Sequence, residues 1–125
     1  EQIANIPAGW SRGNHRGEYD LIRQVQGYIR ENYHRAISLE DAARSVHVSA
    51  SYLSSYFHKA AGESYIQYLT RIRINEAAKL LRTNPQANVS EIAKKVGYVS
   101  PKHFSHVFKK HFTMPPGEYQ RKYGV

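Results

Sequence analysis

A chain of 125 residues has the size of one compact domain, or of two very small subdomains sharing a core. Its 18 Lys and Arg against 10 Asp and Glu leave a formal charge of +8, which favours an acidic partner such as nucleic acid or an anionic membrane surface. The absence of cysteine excludes a disulfide scaffold, a thiolate metal site and a cysteine nucleophile, and no apolar run approaches the roughly 18–20 residues of a membrane span.

The opening residues 1–18 contain Gly, Pro, Asn and Ser without a sustained period and read as a linker or arm that Trp10 can anchor. The start at Glu1 rather than Met reads as that of a fragment, and it lacks the basic-then-apolar profile of a signal peptide. From Tyr19 the spacing changes. Ile22, Val25, Tyr28 and Ile29 recur at three and four residues, which predicts an amphipathic helix to about Asn32. Ser38 followed by Asp41 has the form of a capping arrangement, so a second helix starts there and reaches about Val46. Ser49 caps a third, whose Leu53, Tyr56, Phe57 and Ala60 face inward until Gly62 stops it. Ser64 opens a long fourth helix to about Arg82, closed by "TNPQAN". Ser90 to Val96, Ser100 to His111 and Gly117 to Tyr123 complete seven helices. No stretch has the form of a β-strand of useful length, so the predicted class is all-α.

The second and third helices recur as the fifth and sixth. "LEDAARSVHV" from Leu39 overlays "VSEIAKKVGY" from Val89 at an offset of fifty, placing Ala43 on Ala93 and Val46 on Val96. With one extra residue at Val99, "SASYLSSYFHK" from Ser49 then overlays "SPKHFSHVFKK" from Ser100, placing Leu53 on Phe104, Phe57 on Phe108 and Lys59 on Lys110. In each copy a small alanine lets the second helix cross closely and a short turn sets the angle. That is the helix-turn-helix plan, in which the second helix enters the DNA major groove. The expected organisation is a DNA-binding domain over 19–125, with a first subdomain at 19–63, a linker helix at 64–82 and a second subdomain at 83–125. Along the linker helix Tyr65, Tyr68, Leu69 and Ile72 share one side, while Ile74, Ala78 and Leu81 fall on roughly the opposite side, so one half can pack on each subdomain. A helix of that length spans roughly 27 Å, which suits two recognition helices near the ~34 Å that separates successive major-groove openings.

The paired units, the bridging stretch "YIQYLTRIRINEAAKLL" and the ending "VSEIAKKVGYVSPKHFSHVFKKHFTMPPGEYQRKYG" resemble the C-terminal DNA-binding domain of AraC-type (AraC/XylS) bacterial transcription regulators, over about Tyr19 to Tyr123. Three positions depart from the commonest form of the family. Thr113 stands where glycine is frequent and Pro115 where threonine or serine is frequent, which bears on local turn geometry. Gln120 stands where arginine is frequent, which bears on a phosphate contact. The resemblance implies sequence-specific binding to double-stranded promoter or operator DNA, transcription regulation in the bacterial cytoplasm and nucleoid, and RNA polymerase as a partner. It also implies a separate sensing or receiver domain ahead of Glu1, through which the protein dimerises. The stretch "EYDLIRQVQGYIRENYHRAISLEDAARSV" looks more like the response-regulator subgroup.

In the first recognition helix the inward positions leave Ser51, Ser54, Ser55 and His58 outside, and the resemblance places Ser51, Ser54 and Ser55 towards base edges. Hydroxyls donate or accept and so discriminate bases poorly, which predicts that this unit mainly positions the protein. In the second, Phe104, Val107 and Phe108 face the core and leave Lys102, His103 and His106 as base-reading candidates. Lys102 and His106 can each donate to guanine N7 or O6. Phosphate contacts are expected from Ser38, Ser64 and Ser100 at helix N-termini and from Lys59, Arg71, Arg73, Lys109 and Lys110. Six such contacts correspond to a log–log salt slope of about −5.

Other classes fit less well. His103, His106 and His111 lie close on one helix but have neither a cysteine nor a nearby acidic ligand, so no metal and no cofactor is expected. No Ser-His-Asp spacing, phosphate-binding glycine loop or carboxylate pair points to an enzyme. A non-specific nucleic-acid-binding or anionic-membrane-surface helical module is the remaining alternative, but a membrane helix requires a wide exposed apolar face and these helices use theirs as core. RNA stacking on tyrosines is the third, and Tyr28, Tyr56, Tyr65 and Tyr68 instead fall on core-facing positions.

Overall fold

The computed structural model describes residues 15–125, with side chains from Asp20 onward; Trp10 and most of the opening arm lie outside the described residues. Those residues form seven helices and no strand: α1 (His15–Asn32), α2 (Leu39–Ser45), α3 (Ala50–Ala61), α4 (Tyr65–Thr83), α5 (Val89–Lys95), α6 (Pro101–Phe112) and α7 (Pro116–Tyr123). None of the helices described is long and apolar enough to cross a membrane. The chain divides into two compact units. The first holds residues 15–32 and 37–69, and the second holds Tyr33–Ala36 and Thr70–Val125, so the division falls inside α4.

In the first unit α1 begins at His15, ahead of the expected Tyr19. Leu21, Val25 and Ile29 recur at four-residue steps on α1 and are fully buried, as are Ala42 on α2 and Leu53 and Phe57 on α3. Such close-packed apolar contact supplies most of a small domain's stability, at about 25 cal/mol per Å² of apolar surface removed from water. Phe57 meets Tyr65 and Tyr68 edge to face at ring separations of 6.3 and 5.5 Å, which ties the start of α4 to α3. The expectation for α3 needs correcting at two places. Tyr56 is only half-buried, stacked 6.0 Å from Tyr52, and Ala60 is exposed. The covered row steps by four through residues 53, 57 and 61 instead of returning by three at 60.

The start of α2 is a closed capping box. The Asp41 amide donates to Ser38 Oγ at 3.0 Å and the Ser38 amide donates back to Asp41 Oδ2 at 3.0 Å. That backbone bond, joined by Arg44 at 3.1 Å, holds the Asp41 carboxyl below its ordinary range.

The second unit packs Ile74, Ala77, Ala78 and Leu81 of α4 against Ile92, Ala93 and Val96, the paired rings of Phe104 and Phe108, and Tyr119. Two helix starts differ from the sequence reading. α5 starts at Val89, one residue ahead of the expected Ser90, and Asn88 caps it, its Oδ1 accepting from the Ser90 amide at 2.7 Å, because an Asn side chain reaches the second amide of the helix it precedes. The last helix begins at Pro116, with Pro115 in the cap position and no side-chain cap. Tyr33–Ala36 joins this unit through Arg73, which donates from Nε to the Tyr33 carbonyl and from an η nitrogen to the Arg35 carbonyl, each at 2.8 Å.

The repeat read from the sequence extends to backbone geometry. Ala43 and Ala93 are buried in equivalent places, and their carbonyls accept from the Val48 and Tyr98 amides at 3.1 and 2.9 Å. Each turn passes through a left-handed residue, His47 at φ 63° and Gly97 at φ 103°, and each recognition helix ends on another, Gly62 at φ 77° and Thr113 at φ 62°. Thr113 is thus a β-branched residue where the backbone favours glycine. The left-handed conformation costs a residue with a Cβ roughly 1–2 kcal/mol, against the ~0.5–1 kcal/mol of extra chain entropy that glycine loses on folding. Thr113→Gly is therefore expected to stabilise the domain by about 0.5–1 kcal/mol, seen as a higher urea midpoint at unchanged m value. A lower midpoint would show that the Thr113 hydroxyl, which donates to the Phe112 carbonyl at 2.5 Å, outweighs the strain.

Gln120 is a buried polar side chain of α7, 9% exposed, and its Nε2 donates to the Asn84 and Ala87 carbonyls at 3.0 and 2.9 Å. It fastens the loop between α4 and α5 and faces no solvent-borne anion, so a phosphate role at this position does not apply here. Gln120→Leu keeps the volume but removes both donors, and a stability loss of about 1–3 kcal/mol is expected on chemical denaturation.

Candidate nucleic-acid interface

Within each unit the recognition helix is fixed by its inner face and offers its outer one. On α3, Leu53 and Phe57 are fully buried while Ser51, Ser54, Ser55 and His58 are exposed. On α6, Phe104 and Phe108 are fully buried while Lys102, His103, His106, Lys109 and Lys110 are exposed. The overlay pairs Ser51 with Lys102 and Ser55 with His106, four residues apart on one face in both helices. The candidate base-reading positions of the two units therefore correspond in place and differ in chemistry: hydroxyls in the first, an ammonium and an imidazole in the second.

Caps set where each helix begins. The Tyr52 amide donates to Ser49 Oγ at 3.0 Å on α3, and the His103 amide donates to Ser100 Oγ at 3.1 Å on α6, where Pro101 occupies the first helical position. His103 rests edge-on against Tyr98 at 5.6 Å. Tyr98 is itself buried, with the Arg73 guanidinium 5.7 Å from its ring centre. Burial pushes its phenol above the ordinary value, against the opposing effects of Arg73 and a hydrogen bond with Thr70. His103 thus has a packing role as well as an exposed edge, which sets it apart from Lys102 and His106.

The eight residues expected at phosphate separate into two groups. Lys59, Arg71, Ser100, Lys109 and Lys110 are exposed, Arg71 with an interaction of its own within the chain and the Ser100 hydroxyl accepting the cap bond of α6. Ser38 and Ser64 have their own amides engaged, by Asp41 and, at 2.8 Å, by Gln67 Oε1; at Ser38 a carboxylate already sits at the positive end of the helix. Arg73 donates from its guanidinium to two carbonyls and lies over one aromatic face. Sequence reasoning counted these three by charge or by cap residue alone; the internal bonds that engage them join residues far apart in the chain or pair a cap with its third helical residue. It marked Val99 as the residue that lengthens the second turn by one but gave it no role. Val99 is 93% exposed.

A profile of the helix-turn-helix domain family matches residues 42–122. A regulator from Chromobacterium violaceum described as having an AraC-type DNA-binding domain is similar in structure, with a TM-score of 0.78 and 25% identity over 86% of this chain and 95% of that one. The chain belongs to the AraC-type helix-turn-helix family. An AraC-type domain of this kind is the DNA-binding part of a transcription regulator, and its relatives are regulators, not enzymes. Two more illustrate the range. The C-terminal domain of AraT, a response regulator from Geobacillus stearothermophilus, has a TM-score of 0.79 and 34% identity over 84% of this chain and 87% of that one. The lactose operon transcription activator of Staphylococcus xylosus is 36% identical over 83% of this chain, which spans only 37% of that protein's length.

Proposed function

We propose that this AraC-type domain reads double-stranded DNA sequence-specifically with two unequal heads, α3 and α6, each entering one of two adjacent major grooves. The observation that supports this most is the correspondence of the two units: matched buried pairs (Leu53 with Phe104, Phe57 with Phe108) beneath matched exposed pairs (Ser51 with Lys102, Ser55 with His106). The second head supplies most of the discrimination, since a well-placed donor pair on guanine is worth about 1–3 kcal/mol and a lone hydroxyl less.

Selection from a randomised duplex library at moderate salt tests the proposal. Two short enriched blocks about one helical turn apart are expected. His106→Ala relaxes one block and leaves the other, and Ser55→Ala changes affinity less than tenfold. Binding without enrichment, or a loss above tenfold for Ser55→Ala, contradicts the respective part of the reading.

The same proposal extends to the protein of which this domain is a part. The small share of the Staphylococcus xylosus activator that it spans, and its likeness to a response-regulator C-terminal domain, support a further sensing or receiver domain that also mediates dimerisation, with RNA polymerase as a partner in the cytoplasm.

A further inference from the structure

An exposed valine on its own calls for no explanation. Val99 differs because of where it stands. The first unit passes from Val48 straight to the cap Ser49, whereas the second inserts Val99 between the buried Tyr98 and the cap Ser100, so the insertion lies at the leading end of the recognition helix. Tyr98, 8% exposed, packs against Phe104 at 5.4 Å and secures the chain on one side, and the Ser100 cap secures it on the other. Between these two fixed residues Val99 points its isopropyl group outward at 93% exposure, and it packs on nothing that would make it part of the core.

A recognition helix approaches base edges with its N-terminal residues. The residue just ahead of that end travels with it. The one apolar feature in the major groove is the C5-methyl group of thymine, and small apolar side chains are what recognise it. Lys102 and His106, on the same helix, supply nitrogen donors suited to guanine, and neither ends in a small apolar group such as the valine isopropyl. We infer that Val99 is a specificity-determining residue that reads a thymine methyl at the edge of the block recognised by the second unit. The inference rests on the two-headed reading above. It assigns the extra residue a task that the first unit, lacking it, does not perform.

The test uses the 125-residue chain and its selected duplex, in which each thymine is replaced in turn by deoxyuridine, removing the methyl group and nothing else. For the wild-type chain, one replacement in the block that His106→Ala relaxes is expected to weaken binding about three- to fivefold, the effect of exposing one buried methyl-sized group. Val99→Ala and Val99→Ser should bind the thymine duplex more weakly by a similar factor and show no further loss with that deoxyuridine. Their thermal midpoints should equal the wild type's, since the side chain is exposed. A deoxyuridine profile for Val99→Ala identical to that of the wild type overturns the assignment while leaving the two-headed reading intact. Failure of the wild-type chain to enrich any sequence overturns both.

Discussion

Gly97→Ala should unfold the second unit at markedly lower temperature, while Gly62→Ala, at the equivalent of a helix end, should cost far less. Both glycines have positive φ, 77° at Gly62 and 103° at Gly97, and a left-handed backbone costs a residue with a Cβ roughly 1–2 kcal/mol. Their surroundings differ. A Cβ at Gly62 would meet nothing within 4 Å, whereas one at Gly97 would lie 2.5 Å from the Tyr33 carbonyl oxygen and 2.8 Å from Arg73 Nε. Neither neighbour can give way cheaply, because Arg73 Nε donates to that same oxygen and Arg73 also lies over Tyr98. Displacing them would break a part-buried hydrogen bond to a charged group, worth about 1.5–3 kcal/mol, in addition to the backbone strain. The expected totals are roughly 1 kcal/mol for Gly62→Ala and about 3–5 kcal/mol for Gly97→Ala. Thermal melts of the two variants side by side decide the matter: similar shifts would show that only the left-handed backbone counts and that the clasp around Tyr33 is loose.

This clasp is also where the sequence was least informative. Spacing alone identified the seven helices, the caps Ser38, Ser49, Ser64 and Ser100, and the apolar pairs that hold each recognition helix, since all of these depend on residues within a few positions of one another; the repeat at an offset of fifty showed because each copy carries that local pattern whole. Asn88 was missed because the helix was begun at Ser90, and only the path of the chain shows which residue stands just ahead of its first turn. Arg73, Gly97 and the segment Tyr33–Ala36 come together across some forty and more than sixty positions of sequence, with no local period to signal it. Gln120 is a similar case: a polar residue near a basic C-terminus reads as a surface group until the two carbonyls it serves, Asn84 and Ala87, are seen above it. Outward positions on α3 and α6 were legible because a buried row fixes its opposite face. Which cations are spoken for was not, since that depends on such distant partners.

The salt dependence of binding is expected to follow those partners and not the count of basic residues. Counterion release tracks the phosphates neutralised by cations, with a slope of about −0.9 for each on duplex DNA, and serines at helix ends contribute hydrogen bonds without releasing ions. Of the cations proposed at phosphate, Lys59 in the first unit and Lys109 and Lys110 in the second stand on exposed helix faces, whereas Arg71, exposed on α4, already has an interaction within the chain. Three such contacts predict a log–log slope of about −3, so that raising salt from 50 to 200 mM weakens binding about fiftyfold. Single substitutions Lys59→Ala, Lys109→Ala and Lys110→Ala should each flatten the slope by about one, and do so equally on specific and unrelated duplexes, because phosphate contacts carry no sequence information. Arg73→Lys is the informative contrast. It retains the charge but replaces a planar fork that serves two carbonyls at once with a single ammonium, so stability should fall while the slope stays as it was. If Arg73→Lys instead left the melting temperature untouched and Arg73→Ala flattened the slope by one, the guanidinium would belong to the DNA and the bonds to Tyr33 and Arg35 would be incidental. The expected outcome is the reverse, because a side chain that holds two backbone carbonyls at 2.8 Å gives up both bonds to reach a phosphate, whereas an exposed lysine gives up only water.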